Sequence, residues 1–432
     1  MRRYVLLAVA AATLGLLIPA AAPASAASEP TATQFVSLTG YDGPPDQGGV
    51  PITPETVTTT PIAQLPQGTT VYTDGTAGPS AQTVSALTTG PQPVASAAYG
   101  PGLSQSDCQN DAAAYRDAGH VIDHFNYCLA GYFRVTVLQC TIVNGVPTNC
   151  RVTGTADFRL SSVGRGHNAS RFASFTDVLD QWRITGNAGS TSMTLNIRCT
   201  TTLGSACDAS APTGHTRTIS QWAASNSAYS RFDSPTTGAS GTHLISRYQF
   251  RTVLSVAGGD SVSFGTNNFR CDSATYIKNT AAGSGCVFPN VTSVFTLNVN
   301  SGATQEALHI YQAQYYPETT TPADPNKSIP GSVESGRPLT RTTSATLIDA
   351  NRDKAGDTCT AYYPAYSTSS NLDCDEYPYA STHQGASKAG TNYSARPIND
   401  SDNRSGGGQL SAFYSFNRML DTEDRFYVAI TG

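Results

Sequence analysis

Short runs in which apolar and polar residues alternate fill the middle of the chain. Phe133, Val135 and Val137 alternate with polar neighbours, and the same spacing recurs at residues 193–199. Glycine, asparagine, serine and proline separate the runs. Alternation at period two is typical of half-buried strands, and many short strands separated by turns indicate a sandwich or a barrel. Residues 108–316 are therefore predicted to form an all-β domain that resembles a sandwich or a barrel.

The last part of the chain has a different pattern. Its elements are predicted as a helix at residues 343–355, a strand at 393–398, a helix at 408–419 and a strand at 426–430. Gly356 is expected to stop the first helix. This order predicts a compact α+β domain over residues 337–432, following a β-rich domain in a multi-domain chain.

The remaining stretches show neither period. Residues 27–107 are rich in threonine, proline, serine and alanine, which predicts a mostly disordered spacer. Residues 317–336 contain several prolines and are predicted to be a linker. At the N-terminus, two arginines, a short apolar stretch and Ala24–Ala26 predict a cleaved signal peptide over residues 1–26. We therefore expect a secreted, extracellular protein with no membrane span.

The chain has 10 cysteines, and an even count after a signal peptide is typical of a disulfide framework. They form five sequence-adjacent couples. Cys140 and Cys150 bracket Asn144–Gly145, a strong hairpin signal, so a bridge across that hairpin is expected. The other adjacent pairings stay open because spacing alone does not fix connectivity. A bridge between Cys359 and Cys374 would staple the small C-terminal domain.

The candidate chemistry lies in an acidic knot formed by Asp373, Asp375 and Glu376. Three carboxylates within four residues repel one another unless a cation lies among them. Asp402 and Asn403 follow downstream in a loop-like, polar stretch. Carboxylates and amide carbonyls are the ligands that hard divalent cations prefer. The two segments together predict a small metal centre.

These residues and their neighbours resemble the NucA/NucB family of secreted bacterial deoxyribonucleases. The shared elements are Cys374-Asp375-Glu376-Tyr377-Pro378, Ala380, Gly385-Ala386, Asp402-Asn403 and Gly406-Gly407. The resemblance covers roughly the last 95 residues. It implies a fold similar to a ββα-metal nuclease centre, DNA as the substrate and a divalent ion, Mg²⁺ or Mn²⁺, as the cofactor.

The resemblance also implies roles for individual residues. Asp375 would act as the general base or stand close to it, and Asn403 would ligate the metal together with Asp375. Glu376 would support the site. Clustered carboxylates raise at least one pKa in the metal-free state, which suits a base near neutral pH.

Three further residues are candidates for contact with the substrate. Arg404 directly follows Asn403, and arginine can form paired hydrogen bonds with phosphate. His383 is the histidine of the C-terminal domain, and Gln384 stands where many family members carry an acidic residue. That replacement implies weaker metal binding in this chain. An ordinary exposed arginine and a surface histidine are the plain alternatives.

Two functions of different classes remain open. The first is a secreted, metal-dependent, sequence-nonspecific DNA endonuclease, with the β-rich domain as an accessory module. The second is a non-catalytic extracellular protein whose β-rich domain binds a cell-wall polymer or surface and whose nuclease domain is degenerate. Charged residues make up only 13% of the chain and the net charge is −5, which disfavours tight electrostatic binding of DNA. A glycosidase pair is disfavoured because adjacent strand residues point to opposite faces.

Overall fold

The structure is a computed structural model of the chain. It describes residues 32–52, 102–143, 146–277, 283–364, 366 and 371–432. The predicted signal peptide and residues 53–101 of the predicted spacer lie outside the described residues. Within the part that is described, no helix is both long enough and apolar enough to cross a membrane.

Among the described residues, the β-rich region contains thirteen strands and two short helices. They are β1 (Ala32–Tyr41), β2 (Pro51–Ile52), α1 (Gln105–Asn110), β3 (His120–Asp123), β4 (Asn126–Val143), β5 (Val146–Gly166), β6 (Phe172–Gly186), β7 (Ser192–Leu203), β8 (Asp208–Ala209), β9 (Gly214–Thr218), α2 (Ile219–Ala224), β10 (Ser227–Asp233), β11 (Ser246–Val256), β12 (Ser261–Asp272) and β13 (Gly285–Val287).

The strands form two antiparallel sheets. An eight-stranded sheet has the order β2-β1-β4-β5-β6-β10-β8, with β3 paired to β4, and a five-stranded sheet has the order β13-β12-β11-β7-β9. Val135 and Leu160 of the first sheet share one buried cluster with Leu195 and Leu254 of the second. The predicted β-rich region is therefore confirmed, because alternating side chains of both sheets bury a common core.

Strand β1 corrects the prediction of a spacer over residues 27–107. It pairs with β4 along its whole length, from Ala32 opposite Thr141 to Tyr41 opposite Tyr132. Val36 is buried in the core that the two sheets share. The single apolar alternation of this segment suffices because β4 offers a long edge for pairing.

The cysteines pair as sequence neighbours. The bridges are Cys108–Cys128, Cys140–Cys150, Cys199–Cys207, Cys271–Cys286 and Cys359–Cys374. The expected bridge across the β4–β5 hairpin is confirmed, and Val143 faces Val146 at its end. The predicted turn residues Asn144–Gly145 lie outside the described residues.

In the part of the C-terminal unit that the structure describes, there are five strands and three helices. They are β14 (Ser293–Asn298), α3 (Thr304–Tyr315), β15 (Leu339–Thr340), α4 (Ala345–Tyr362), β16 (Leu372–Tyr377), β17 (Ser394–Asn399), α5 (Asp400–Phe416) and β18 (Arg425–Thr431). Strand β18 lies between β14, to which it is parallel, and β15, to which it is antiparallel. Strands β16 and β17 form a separate antiparallel pair, and α5 follows β17 directly.

The packing of the C-terminal unit corrects two predicted boundaries. Phe295 of β14 and Ile310 of α3 lie in one buried cluster with Leu410 and Phe426, so residues 293–315 pack with the C-terminal elements. The alternation in β14 places these residues in the predicted β-rich domain, because it has the same period as the strands before it.

The predicted linker at 317–336 is also folded onto this unit. Ile329 is buried in the same cluster. The Nζ of Lys327 donates to the carbonyl oxygens of Thr320 and Tyr393. The prolines of this segment therefore shape a packed connection rather than a free linker.

Both helices that are predicted for the C-terminal domain differ in their bounds from the observed helices α4 and α5. Helix α4 runs through Gly356 to Tyr362 because the face that carries Ala355 and Cys359 packs against the strand pair. No described atom lies within 4 Å of the position a Cβ would take at Gly356, so this glycine interrupts nothing. Helix α5 begins at Asp400, eight residues earlier than predicted.

A buried ionic cluster joins the two parts of the chain. Arg418, which follows α5, donates to both carboxylate oxygens of Asp272 at the end of β12, and neither side chain is exposed. Arg270 of β12 donates to Asp424 with an Nη1–Oδ1 distance of 2.7 Å. Buried charges are stable only when they are paired, so this contact fixes the C-terminal unit against the second sheet.

Candidate active site

An open cleft of about 760 Å³ crosses the C-terminal unit. It is lined by side chains from α3, α4, β16 and α5 and from the loop after β12. The lining residues whose side chains can bind ions or transfer protons include Glu306, Arg352, Asp375, Glu376, Asn403 and Arg404. The structure therefore brings the predicted catalytic residues Asp375, Glu376 and Asn403 to one surface.

Strand β16 holds the acidic knot in place. Asp375 is opposite Arg396 in the antiparallel pair with β17, and it is only 3% exposed. The residue before it, Cys374, is bonded to Cys359 in α4. The strand is therefore tied to its neighbours by backbone hydrogen bonds on one side and by a covalent bond on the other.

His309 of α3 orients the carboxylate of Asp375. Its Nδ1 lies 2.6 Å from Oδ2 of Asp375, and its Nε2 lies 2.7 Å from Oγ of Ser394. These two contacts hold the imidazole ring between the Asp375 carboxylate and the Ser394 hydroxyl. His309 is fully buried, so it positions Asp375 from behind and does not face the cleft.

Glu306 brings a further carboxylate to the cleft. It is 1% exposed, and neither carboxylate oxygen has a hydrogen-bond partner among the described residues. Burial raises its pKa to about 9, and the nearby charges of Asp375, Glu376 and Asp402 contribute in the same direction. In the absence of a cation this side chain is therefore protonated at neutral pH.

Glu376 is perturbed in the same way. Burial of its carboxyl group raises its pKa to about 8, and the charge of Asp375 adds to the shift. Its Oε1 accepts the backbone N–H of Ala380 at 3.2 Å, which holds the start of the following loop. The expectation that clustered carboxylates raise a pKa here agrees with this environment.

Helix α5 presents Asn403 to the cleft. Asn399 ends β17 and caps the helix, because its side chain accepts the backbone N–H of Ser401. Asp400 and Asp402 lie in the first turn, where negative charge is favourable to the helix dipole. Asn403 follows and lines the cleft.

Arg404 lies at the rim of the cleft. Its Nε is 3.1 Å from Oδ2 of Asp373 and its Nη1 is 3.3 Å from Oδ2 of Asp400. Its side chain is 69% exposed. Ion pairs this exposed contribute little stability, so the guanidinium is available to an incoming anion.

Neither His383 nor Gln384 is among the described residues that line the cleft. The Nε2 of His383 lies 3.0 Å from Oδ1 of Asp421, and Oε1 of Gln384 accepts the backbone N–H of Thr340 at 2.9 Å. Both side chains hold the loop after β16 against its neighbours. Their predicted contact with the substrate is therefore not supported by their position.

Arg341 also lines the cleft. Its guanidinium lies between the rings of Tyr276 and Tyr414, 4.8 Å and 4.7 Å from their centroids. Its Nη1 donates to the carbonyl oxygen of Met419 at 2.8 Å. Because Tyr276 belongs to the loop after β12, the β-rich region contributes one wall of the cleft.

Sequence patterns missed Glu306 and His309. Both lie within residues 108–316, which are predicted to form the β-rich domain, and neither is among the predicted site residues. Glu306 and His309 are three residues apart, so they lie on one face of helix α3. A prediction of a helix over residues 304–315 would have placed these two side chains together. Across the described chain, no three histidine, cysteine, aspartate or glutamate side chains are arranged to hold a metal by themselves.

The comparison with known families decides the identity of this region. Residues 332–429 match the family model for deoxyribonuclease NucA/NucB. The predicted resemblance is thereby confirmed for the C-terminal part of the chain, and we call residues 332–429 the NucA/NucB segment. It contains Asp375, Glu376 and Asn403, whereas Glu306 and His309 precede it. No curated protein and no solved structure matches the chain.

Proposed function

We propose that this protein is a secreted, metal-dependent endonuclease that hydrolyses phosphodiester bonds of DNA without sequence preference. The observation that carries the proposal is the convergence of Asp375, Glu376 and Asn403 on one cleft within the NucA/NucB segment. The five disulfide bonds support an extracellular location, because such bonds persist in oxidising compartments.

The donor groups of the cleft fit a hard divalent cation. Asp375 and Asn403 offer a carboxylate and an amide carbonyl, which are the oxygen ligands that Mg²⁺ and Mn²⁺ take in proteins. The buried carboxyl group of Glu306 lies beside them without a hydrogen-bond partner among the described residues. A bound cation would supply the missing partner and remove the cost of burying this group alone. When bound, the ion would neutralise negative charge on the phosphate in the transition state.

Asp375 is the best-placed general base. His309 engages its Oδ2, so the carboxylate is held in one orientation while the residue lines the cleft. Its second oxygen has two lone pairs, so it can accept the proton of a water that attacks the phosphorus beside its contact with the cation. Holding the base rigidly lowers the cost of organising the reacting groups, which is a large part of catalysis in hydrolytic enzymes.

The substrate would be bound through its backbone. Three arginines are among the lining residues of the cleft. They are Arg404 at its rim, Arg352 beside the acidic knot, and Arg341 between the rings of Tyr276 and Tyr414. Arginine binds phosphate through its planar fork of donors, and contacts with phosphate carry no sequence information. This distribution of cations supports hydrolysis without sequence preference.

Digestion of plasmid DNA tests the proposal. The purified mature protein is incubated with and without EDTA, then with Mg²⁺ or Mn²⁺ restored, beside Asp375→Ala, Asn403→Ala and the exposed control Glu318→Gln. Cleavage should vanish with EDTA, return with metal, be lost in the first two variants and persist in the control. A folded protein that cleaves nothing with either ion would refute the proposal and favour a binding protein whose ligand contacts residues 108–316.

A further inference from the structure

Glu306 is a buried acid whose carboxyl group has no hydrogen-bond partner among the described residues. This holds for both carboxylate oxygens, and the residue is 1% exposed. Burying a polar group without a partner is unfavourable, and burying an ionised carboxylate is more so. Such a group persists at a functional site when a ligand supplies the missing partner.

The carboxylate of Glu306 packs closely against helix α5. A Cβ at position 406 would lie 1.9 Å from Oε2 of Glu306, so α5 can approach the carboxylate only because residue 406 is glycine. Asn403 precedes Gly406 by three residues on α5 and therefore lies on the same side of the helix. Asp402 accepts the backbone N–H of Gln305 at 2.8 Å, which ties the start of α3 to α5.

The charges that act on Glu306 are all negative. Asp375 and Glu376 reach it from β16 and Asp402 reaches it from α5. Arg404, the arginine of α5, lies at the rim of the cleft with its guanidinium against Asp373 and Asp400. The surroundings of Glu306 thus combine surplus negative charge with oxygen ligands, and the residue belongs to the lining of the cleft.

We propose that Glu306 is a ligand of the divalent cation and that it completes an oxygen site together with Asp375 and Asn403. The inference rests on the proposed function and deepens it, because it places one ligand outside the NucA/NucB segment. Mg²⁺ is usually held by one or two carboxylates, with water and substrate phosphate completing its shell. Two carboxylates and one amide therefore suffice, and α3 both supplies a ligand and orients Asp375 through His309.

Titration with Mn²⁺ in a calorimeter, on the full mature chain, tests the assignment without reference to catalysis. The variants are Glu306→Gln, which keeps the shape and removes the charge, and the control Glu318→Gln, which removes the same charge from an exposed position outside the cleft. Glu306→Gln should weaken Mn²⁺ binding at least about tenfold, and Glu318→Gln should leave it unchanged.

A second variant guards against misfolding. Gly406→Ala leaves every charge in place and displaces the Glu306 carboxylate, so it should weaken Mn²⁺ binding as well. Circular dichroism and thermal unfolding in EDTA should show both variants folded. Wild-type affinity for Mn²⁺ in folded Glu306→Gln or folded Gly406→Ala would overturn the role of Glu306 and leave the proposed function intact. A wild-type protein that binds no Mn²⁺ and cleaves no DNA would overturn both.

Discussion

Two glycines of α5 that lie one half-turn apart should respond differently to the same substitution. At Gly408 no described atom lies within 4 Å of an added Cβ. At Gly406 the added Cβ would lie 1.9 Å from Oε2 of Glu306. Replacing each glycine by alanine therefore compares a free helix position with one that is occupied by the carboxylate.

The expected free energies follow from helix propensity and from strain. Alanine is more favourable than glycine in a helix interior by about 1 kcal/mol, so Gly408→Ala should raise the free energy of unfolding by about that amount. In Gly406→Ala the Glu306 carboxylate must retreat by about 1.5 Å to reach an ordinary contact distance. Moving a side chain off its rotamer costs about 0.5–1.5 kcal/mol, which cancels the gain.

Thermal unfolding in EDTA measures the difference. Gly408→Ala should unfold about 2–4 °C above Gly406→Ala. In a Glu306→Ala background the obstacle is gone, so Gly406→Ala should become as stabilising as Gly408→Ala. Equal stabilisation by both alanines in the presence of Glu306 would refute the reasoning, because the carboxylate would then not occupy the space beside α5.

Three other measurements probe the rest of the unit. Arg418→Ala leaves Asp272 buried without its partner and should lower the free energy of unfolding in urea by about 3–5 kcal/mol; a loss below 1 kcal/mol would contradict the buried pairing. In EDTA that free energy should fall from about pH 5 to pH 8, because folded Glu306 and Glu376, with pKa values of about 9 and about 8, hold protons that the unfolded chain releases near 4.5. A stability that rises over this range would refute the raised pKa values. Cys374→Ser opens a loop of sequence separation 15 and should cost about 3 kcal/mol in the same urea assay, whereas unchanged stability would show that the bridge constrains nothing.

The parts of the site that the sequence predicted are local in the chain. Asp375 and Glu376 are adjacent, and Asn403 follows within one strand and one helix, so a short motif captures all three. The sequence patterns did not identify Glu306 and His309 as site residues, because the site lies far from them along the chain. Asp375, which His309 contacts, is 66 residues away. No periodic pattern records a contact of that range, which depends on how β14 and α3 dock.

The fold shows the same distinction. Alternation predicted strands such as β4 and β7, because every second side chain is buried over part of each strand. It failed for β1, whose burial depends on the edge that β4 offers. It also misplaced the end of α4, because one glycine costs a helix only about 1 kcal/mol and the packing of Ala355 and Cys359 holds the helix across Gly356.

The parallel pairing of β14 with β18 makes the NucA/NucB segment hard to exchange between proteins. Recombination that moved residues 332–429 alone would leave β14 and α3 behind, and β18 would then present an unprotected edge to other chains. The transplanted Arg418 would also lose its buried counter-ion. Gene shuffling is therefore expected to carry the NucA/NucB segment only together with β14 and α3, which precede it.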